Sequence, residues 1–147
     1  MVKRTSHQDT ACGVARPLDV IGDGWSLLIV RDALAGARRF GEFQSGLGLA
    51  KNILAARLRS LIEHGILEAV PASDGGAHQE YVLTEKGRGL FPVLVALRQW
   101  GDAFCFEPNE SRARLLDVET RQPLKTVEIR SQDGRSLAPE DTVVQLP

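Results

Sequence analysis

Residues 47 to 83 read LGLAKNILAARLRSLIEHGILEAVPASDGGAHQEYVL, and this stretch decides the fold of the chain. From Lys51 to His64, apolar residues recur at i, i+4, i+7 and i+8 and share one face of an amphipathic helix: Leu54, Leu58, Leu61 and Ile62. Gly65 supplies the left-handed conformation that commonly ends a helix. Residues 66 to 83 are typical of two short strands around a glycine-rich turn at Ser73-Asp74-Gly75-Gly76. The stretch therefore predicts a helix followed directly by a β-hairpin.

Two apolar segments upstream complete the same folding unit. The residues from Trp25 to Leu34 are apolar on nearly every side, as in a central helix that its neighbours cover. Residues 40 to 47 carry apolar side chains at i, i+3 and i+7, which predicts a short helix, and glycines suit the tight turn after it. The order helix, helix, turn, helix and hairpin indicates a winged helix-turn-helix, an α+β fold whose usual role is to hold DNA.

A second amphipathic surface follows the hairpin. Thr84 is expected to cap a short helical turn, and Pro92 suits the first turn of a longer helix. The apolar stripe of that helix exceeds what a domain of this size needs for its own core, and it includes Leu94, Leu97, Trp100 and Phe104. We expect this stripe to pack against its copy in a second subunit, so that the helices that flank the winged domain form a homodimer. Such a homodimer would match a two-fold symmetric operator. Packing within one domain is the alternative that the sequence leaves open.

Composition indicates one small domain with two appendages. Of the 147 residues, 43% are hydrophobic and 25% charged, which suffices for a single core. We expect a flexible arm over residues 1 to 10, a DNA-binding and dimerisation domain over 11 to 106, and a small β-rich extension over 107 to 147. Short strands are expected in the extension around 116–118, 127–129 and 143–146.

The sequence carries no signal for export, catalysis or metal binding. Residues 1 to 10 are polar, and no apolar run approaches a membrane-spanning length. We therefore expect a cytoplasmic protein whose Cys12 and Cys105 are thiols. No cofactor is expected, because His7, His64 and His78 lack a nucleophile or carboxylate constellation and the cysteine spacings match no ligand pattern.

Basic residues are concentrated in the predicted helix-turn-helix. The net charge is −1, but residues 1 to 65 carry nine Lys/Arg against six Asp/Glu, and residues 66 to 147 carry nine against thirteen. Cations that could neutralise phosphates are Arg38, Arg39, Lys51, Arg57 and Arg59. Ordinary solvated charges, or for Arg57 a surface ion pair, are the alternatives.

Four motifs occur in an order that resembles a known family. They are CGVARPLDVIGDGWSLLIVRD at residues 12 to 32, RRFGEF at 38 to 43, RLRSL at 57 to 61 and EYVLTEKG at 80 to 87. Over about residues 10 to 104 the chain resembles the HxlR-type transcriptional regulators. The resemblance implies a bacterial, dimeric, MarR-like winged helix that binds operator DNA, with the N-terminal and last long helices forming the dimer.

The chain departs from the family pattern at the expected DNA-binding face. Family members often have Ser or Thr where Ala50 and Ala55 stand, and Arg where His78 stands. Because residues 72 to 77 contain no cation, we expect weak contacts from the hairpin. DNA binding is then expected to rest on Arg38, Arg39, Lys51, Asn52, Arg57 and Arg59, with His78 on the hairpin.

Cys12 coincides with the cysteine that some relatives use to sense oxidants. A sensing thiol needs exposure and a lowered pKa, which Arg16 one helical turn away would favour. A buried, inert cysteine near the dimer contact is the alternative. We expect peroxide or diamide to change operator affinity by less than about threefold.

The sequence thus predicts a sequence-specific, homodimeric DNA-binding regulator of transcription, acting as a repressor, whose small-molecule effector it does not identify. The alternative is a winged-helix module that binds a ligand or a protein and has little DNA affinity. The two alanines on the DNA-binding face, the cation-free hairpin tip and the acidic second half of the chain favour that alternative. Retention on heparin and a shift of upstream DNA would separate the two.

Overall fold

The computed structural model describes residues 5 to 147, and the chain divides into two compact units between Phe91 and Pro92. The first unit contains α1 (Ala15–Ile21), α2 (Ser26–Leu34), α3 (Phe40–Leu47), α4 (Lys51–Glu63), β1 (Leu67–Pro71), β2 (Gln79–Leu83) and α5 (Glu85–Arg88). α6 (Phe91–Phe104) begins at the division and a short 3-10 helix, Pro139–Asp141, follows in the second unit. Within the described residues no helix is both long and apolar enough to cross a membrane.

The expected N-terminal arm is described only in part. Residues 1 to 4 lie outside the described residues, and residues 5 to 10 contain a turn but no helix or strand. Their backbone is tied to the first helix, because the N–H of His7 donates to the Asp19 carboxylate at 2.7 Å. The flexibility expected for this arm stays a prediction.

The core of the first unit is built from one face of each of three helices and from the start of the hairpin. The side chains with almost no exposed surface are Ile29, Val30, Phe43, Leu54, Leu58, Leu61 and Leu67. Leu54, Leu58 and Leu61 are three of the four residues of the predicted apolar stripe of α4, and the fourth, Ile62, is half-buried, so the prediction of the buried face is confirmed. Because full burial of a leucine is worth about 1.5–3 kcal/mol, this stripe determines which face of α4 is turned to solvent.

Gly65 ends α4 and Thr84 begins α5, as the sequence predicts. Gly65 follows α4 with a φ of 72°, in the left-handed region that side chains disfavour. Thr84 caps α5, since its Oγ1 accepts a hydrogen bond from the N–H of Gly87 at 3.1 Å. Both features direct the chain out of α4 into the hairpin and out of the hairpin again.

The hairpin is the expected wing. β1 and β2 are antiparallel, with Leu67 opposite Leu83 and Pro71 opposite Gln79. On the other edge of β2, the N–H of Tyr81 donates to the carbonyl of Arg38 at 2.7 Å. This bond holds the segment before α3 beside the wing, and the predicted α+β winged helix-turn-helix is confirmed.

The C-terminal extension differs from the expectation, because the three short strands do not form. Residues 107 to 147 contain only two isolated bridges, between residues 116 and 123 and between 130 and 136. Asp117 shows the reason: its side chain accepts from the N–H groups of Glu119 and Thr120, and its carbonyl accepts from that of Arg121. Local turns thus take the backbone groups that strands would pair, and Val118 remains 77% exposed.

Side-chain bonds join the extension to α6 within the second unit. Gln99 donates to the carbonyl of Lys125 at 3.0 Å and accepts from the N–H of Val127 at 2.8 Å. Arg112 also donates to the carbonyl of Asp102. These bonds lie within the unit that begins at Pro92. The domain boundary expected after residue 106 stays a prediction.

Candidate nucleic-acid interface

The first turn of α4 presents polar groups that the rest of the described chain does not use. Lys51 and Asn52 are exposed, and Arg59 lies exposed two turns later on the same side. Within residues 5 to 147 none of the three forms a side-chain hydrogen bond or ion pair. Ala50 has no side-chain acceptor to cap the helix, so the N–H groups of the first turn also stay uncapped. Uncapped N–H groups and free cations at a helix start suit phosphate oxygens.

The side chain of Arg57 forms an ion pair with Asp23. Its NH1 lies 3.6 Å from Oδ2 of Asp23. The same carboxylate accepts from the N–H groups of Trp25 and Ser26 at 2.8 and 2.9 Å and so begins α2. Partial burial acts to raise the pKa of Asp23, but hydrogen bonds from Ser26 and Trp25, followed by the charge of Arg57, lower it overall. Arg57 therefore connects α4 to the start of α2, which was the alternative considered for it.

Arg38 is held by a buried carboxylate of the wing. Its Nε donates to Oε2 of Glu80 at 2.6 Å, and Glu80 is only 2% exposed. The other carboxylate oxygen accepts from the N–H and Oγ of Ser73 at 3.1 and 2.8 Å. These bonds from Ser73, and then the one from Arg38, hold the pKa of Glu80 below its ordinary value. The carboxylate is thus ionised and fully hydrogen-bonded, as a buried anion must be.

Arg39 is paired with the wing tip. Its NH2 donates to the carboxylate of Asp74, and it lies 3.8 Å from Oε1 of Glu80. Asp74 also accepts from the N–H of Gly76 at 2.8 Å, within the glycine-rich turn. The hydrogen bond from Arg39, and then that from Gly76, lower the pKa of Asp74. Unlike Glu80, Asp74 is largely exposed.

The structure thus separates the expected DNA-binding residues into two groups. Lys51, Asn52 and Arg59 lie together on α4 without partners among the described residues, whereas Arg38, Arg39 and Arg57 are ion-paired. Sequence reasoning missed the acidic partners of these arginines. The sequence did contain a sign of the partner Glu80. Glu80 and Val82 are two residues apart on β2 and so lie on the same face, where a carboxylate interrupts apolar side chains.

His78 lies at an open groove between the start of α3 and the wing. The groove has a volume of about 1060 Å³, and its walls include Arg39, Phe40, His78 and Tyr81. His78 is exposed there and forms no ion pair within the described residues. Its expected contact with DNA stays a prediction.

Cys12 is exposed in the single chain. The alternative of an inert thiol buried near the dimer contact stays a prediction. Its sulfur accepts from the N–H groups of Ala15 and Val14, each at 3.4 Å, and these bonds lower the pKa of the thiol. Arg16, the expected source of that effect, instead donates to the carbonyl of Thr10 at 2.7 Å. Among the described residues, no three His, Cys, Asp or Glu side chains are grouped to hold a metal ion.

The predicted dimerisation stripe is largely uncovered in the single chain. Leu97, Trp100 and Phe104 are 48%, 58% and 73% exposed, and Leu94 is half-buried. The rings of Trp100 and Phe104 lie 5.6 Å apart and form a continuous apolar surface. The opposite side of α6 carries Gln99, which binds the extension. One face of α6 is therefore used within the unit, and the other is free to take a partner.

Comparisons with known proteins agree with this geometry. The model of the HxlR-like helix-turn-helix family matches residues 20 to 109. The HTH-type transcriptional regulator Rv3095 of Mycobacterium tuberculosis is 43% identical over 108 residues, which cover 74% of this chain and 68% of that protein. The crystal structure of PA1607, described as a candidate transcription factor, is 62% identical with a TM-score of 0.92, covering 96% of this chain and 99% of the other.

A redox regulator is also among the similar structures. HypR in its reduced form is 31% identical with a TM-score of 0.58, covering 63% of this chain and 92% of the other. The likeness to PA1607 takes in the C-terminal extension, whereas the likeness to HypR covers a smaller share of the chain.

Proposed function

Because the chain belongs to the HxlR-like helix-turn-helix family of DNA-binding transcriptional regulators, we propose that it is a homodimeric repressor of the bacterial cytoplasm. Each copy inserts α4 into the major groove of one half of a two-fold symmetric operator. The observation that carries this proposal is the polar start of α4, where Lys51 and Asn52 are exposed and without partners among the described residues. Asn is suited to a bidentate contact with adenine, and Lys to a phosphate or guanine.

The proposed repression rests on occupation of the operator by the dimer. A dimer that covers two half-sites about one helical turn apart blocks the DNA to other proteins. The apolar stripe of α6 supports the dimer, since Leu97, Trp100 and Phe104 are 48%, 58% and 73% exposed in the single chain.

A second candidate function is favoured by the paired arginines. Three of the expected cations are engaged by Asp23, Asp74 and Glu80, and the wing tip carries a carboxylate. A winged helix of this kind can bind a ligand or a protein and have little DNA affinity. The free cations Lys51 and Arg59 decide our preference for DNA.

The test is selection of binding sites from a random duplex library, followed by titration of variants at several salt concentrations. We expect Asn52→Ala to change the preferred base at one position of each half-site, with a loss of about 1–3 kcal/mol in discrimination. Lys51→Ala should instead weaken all sequences about equally and reduce the salt slope by about one.

The matched control is Arg88→Ala, which removes one exposed cation from α5. It should leave the base preference and the salt slope as they are in the wild type. Unchanged binding in both α4 variants would exclude the proposed DNA-binding face. A wild-type chain that neither selects a sequence nor is retained on heparin would overturn the DNA-binding proposal and leave the second candidate function.

A further inference from the structure

The two carboxylates of the wing hold their arginines in different ways. Glu80 is 2% exposed and receives hydrogen bonds from Ser73 as well as from Arg38. Asp74 lies at the tip with 57% of its side chain exposed, and Arg39 is 40% exposed. Water and ions can therefore reach the Asp74–Arg39 pair, whereas they are excluded from the carboxylate of Glu80.

The difference in burial predicts a difference in strength. An exposed ion pair is weak, because solvent screens it and two long side chains must be held in one geometry. Breaking the contact between Arg38 and Glu80 would leave a buried carboxylate with hydrogen bonds from Ser73 but without its hydrogen-bonded cation, which is costly. Of the two arginines, Arg39 is therefore the one that another anion can take over.

We propose that Asp74 competes with DNA phosphate for Arg39 and thereby lowers the affinity of the free protein for DNA. A carboxylate and a phosphate present similar pairs of oxygens to a guanidinium group. When DNA is absent the wing tip occupies Arg39, and when DNA binds a phosphate replaces Asp74. This inference rests on the proposed DNA-binding function, and it assigns a regulatory contact to the wing, whose tip has no cation between residues 72 and 77.

If a DNA phosphate replaces Asp74 as the partner of Arg39, the affinity for DNA should depend less steeply on salt concentration. Phosphate neutralisation by a free arginine releases about one counterion from DNA. If Arg39 must first leave Asp74, the freed carboxylate attracts a cation from solution, and the net release of ions is smaller. The wild type should therefore show a shallower salt slope than a chain in which residue 74 is neutral.

The experiment compares Asp74→Asn with the wild type in binding to a fluorescent random-sequence duplex of about 20 base pairs at several salt concentrations. Asparagine keeps the side-chain oxygen that accepts from Gly76 and removes the charge that attracts Arg39. We expect affinity at low salt to rise about twofold to fivefold, the range of an exposed ion pair, with a steeper salt slope by up to about one.

Two further variants isolate the cause. Asp133→Asn is the matched control, because Asp133 is 59% exposed, precedes a turn glycine and pairs with Arg135 in the second unit. It makes the same change in net charge and should raise affinity much less. Combining Asp74→Asn with Arg39→Ala should remove the gain, because the competition needs Arg39.

The outcomes separate this inference from the proposed function. A wild type that binds DNA while Asp74→Asn binds equally or more weakly overturns the competition and leaves the proposed function standing. An equal gain in Asp133→Asn, or in the Arg39→Ala background, also overturns it, since net charge alone would then explain the effect. Failure of both the wild type and Asp74→Asn to bind any duplex overturns the inference and the proposed function together.

Discussion

At the scale of single residues, hydrogen-bond partners decide what each charged or reactive group can do. Arg38 and Lys51 carry the same charge, yet one is fixed to a buried carboxylate and the other is free among the described residues. Cys12 is a second case. Its thiol is exposed and receives two backbone N–H groups, which stabilise the thiolate more than the neutral form.

This contact predicts that the thiol of Cys12 ionises at a lower pH than an ordinary cysteine. In a Cys105→Ser chain, the rate of alkylation by iodoacetamide should rise with pH around a midpoint below that of ordinary cysteine, because the N–H groups of Ala15 and Val14 lower the pKa of Cys12. The same chain in concentrated urea is the control. There the midpoint should return to the ordinary value, since unfolding removes both donors. Equal midpoints in the two conditions would contradict the contact.

At the scale of elements, the backbone of α5 packs closely against the residues that lead into the wing. Thr84 caps α5 and its hydroxyl also donates to the carbonyl of Gly65. Gly87 lies against this junction: a Cβ placed there would be 2.2 Å from the carbonyl oxygen of Ile66. No side chain can occupy that place unless the backbone of one element moves.

Gly87→Ala should therefore destabilise the first unit. We expect a loss of about 1–3 kcal/mol in the free energy of unfolding, the usual cost of overpacking, measured by urea denaturation. Gly41→Ala in α3 is the matched control, since a Cβ at Gly41 would meet no atom within 4 Å. That variant should be neutral or slightly more stable, because alanine favours a helix over glycine. Equal stability of the two variants would show that the junction relaxes freely.

At the scale of the whole molecule, assembly is the main property that the single chain points to. The side chains of Leu97, Trp100 and Phe104 lie on one face of α6 and are about half exposed or more. The other face carries Val95, which is buried, and Gln99, which is hydrogen-bonded to the extension. The exposed face thus supports the proposed homodimer without being needed for the fold of the unit.

Leu97→Asp should yield a folded monomer. Placing an unpaired carboxylate in an apolar interface costs several kcal/mol, whereas the same residue is tolerated at a position that is 48% exposed in the single chain. Sedimentation equilibrium measures the mass, and circular dichroism checks the fold. Ala103→Asp, an exposed position beside the stripe, is the control and should remain a dimer. An intact dimer of Leu97→Asp would place the interface elsewhere.

Patterns within short stretches of sequence were enough to predict the winged helix-turn-helix. The apolar spacing of α4, the glycine after it and the glycine-rich turn of the wing depend on neighbours a few residues apart. The same is true of the cap at Thr84 and of the apolar stripe on α6. Each of these features follows from helix or strand period and from backbone conformation, which are local properties.

Contacts between distant residues were decided by the tertiary structure alone. Glu80 meets Arg38 and Asp74 meets Arg39 across separations of 42 and 35 residues, so no local pattern could show that these cations are paired. The extension was mispredicted for a related reason. Alternating apolar residues predict strands only when a sheet is there to pair them, and at Asp117 local turn bonds take the backbone instead. The sequence by itself determined the winged helix-turn-helix and the polar face of α4, and the tertiary structure determined the course of the extension and which charges remain free to act.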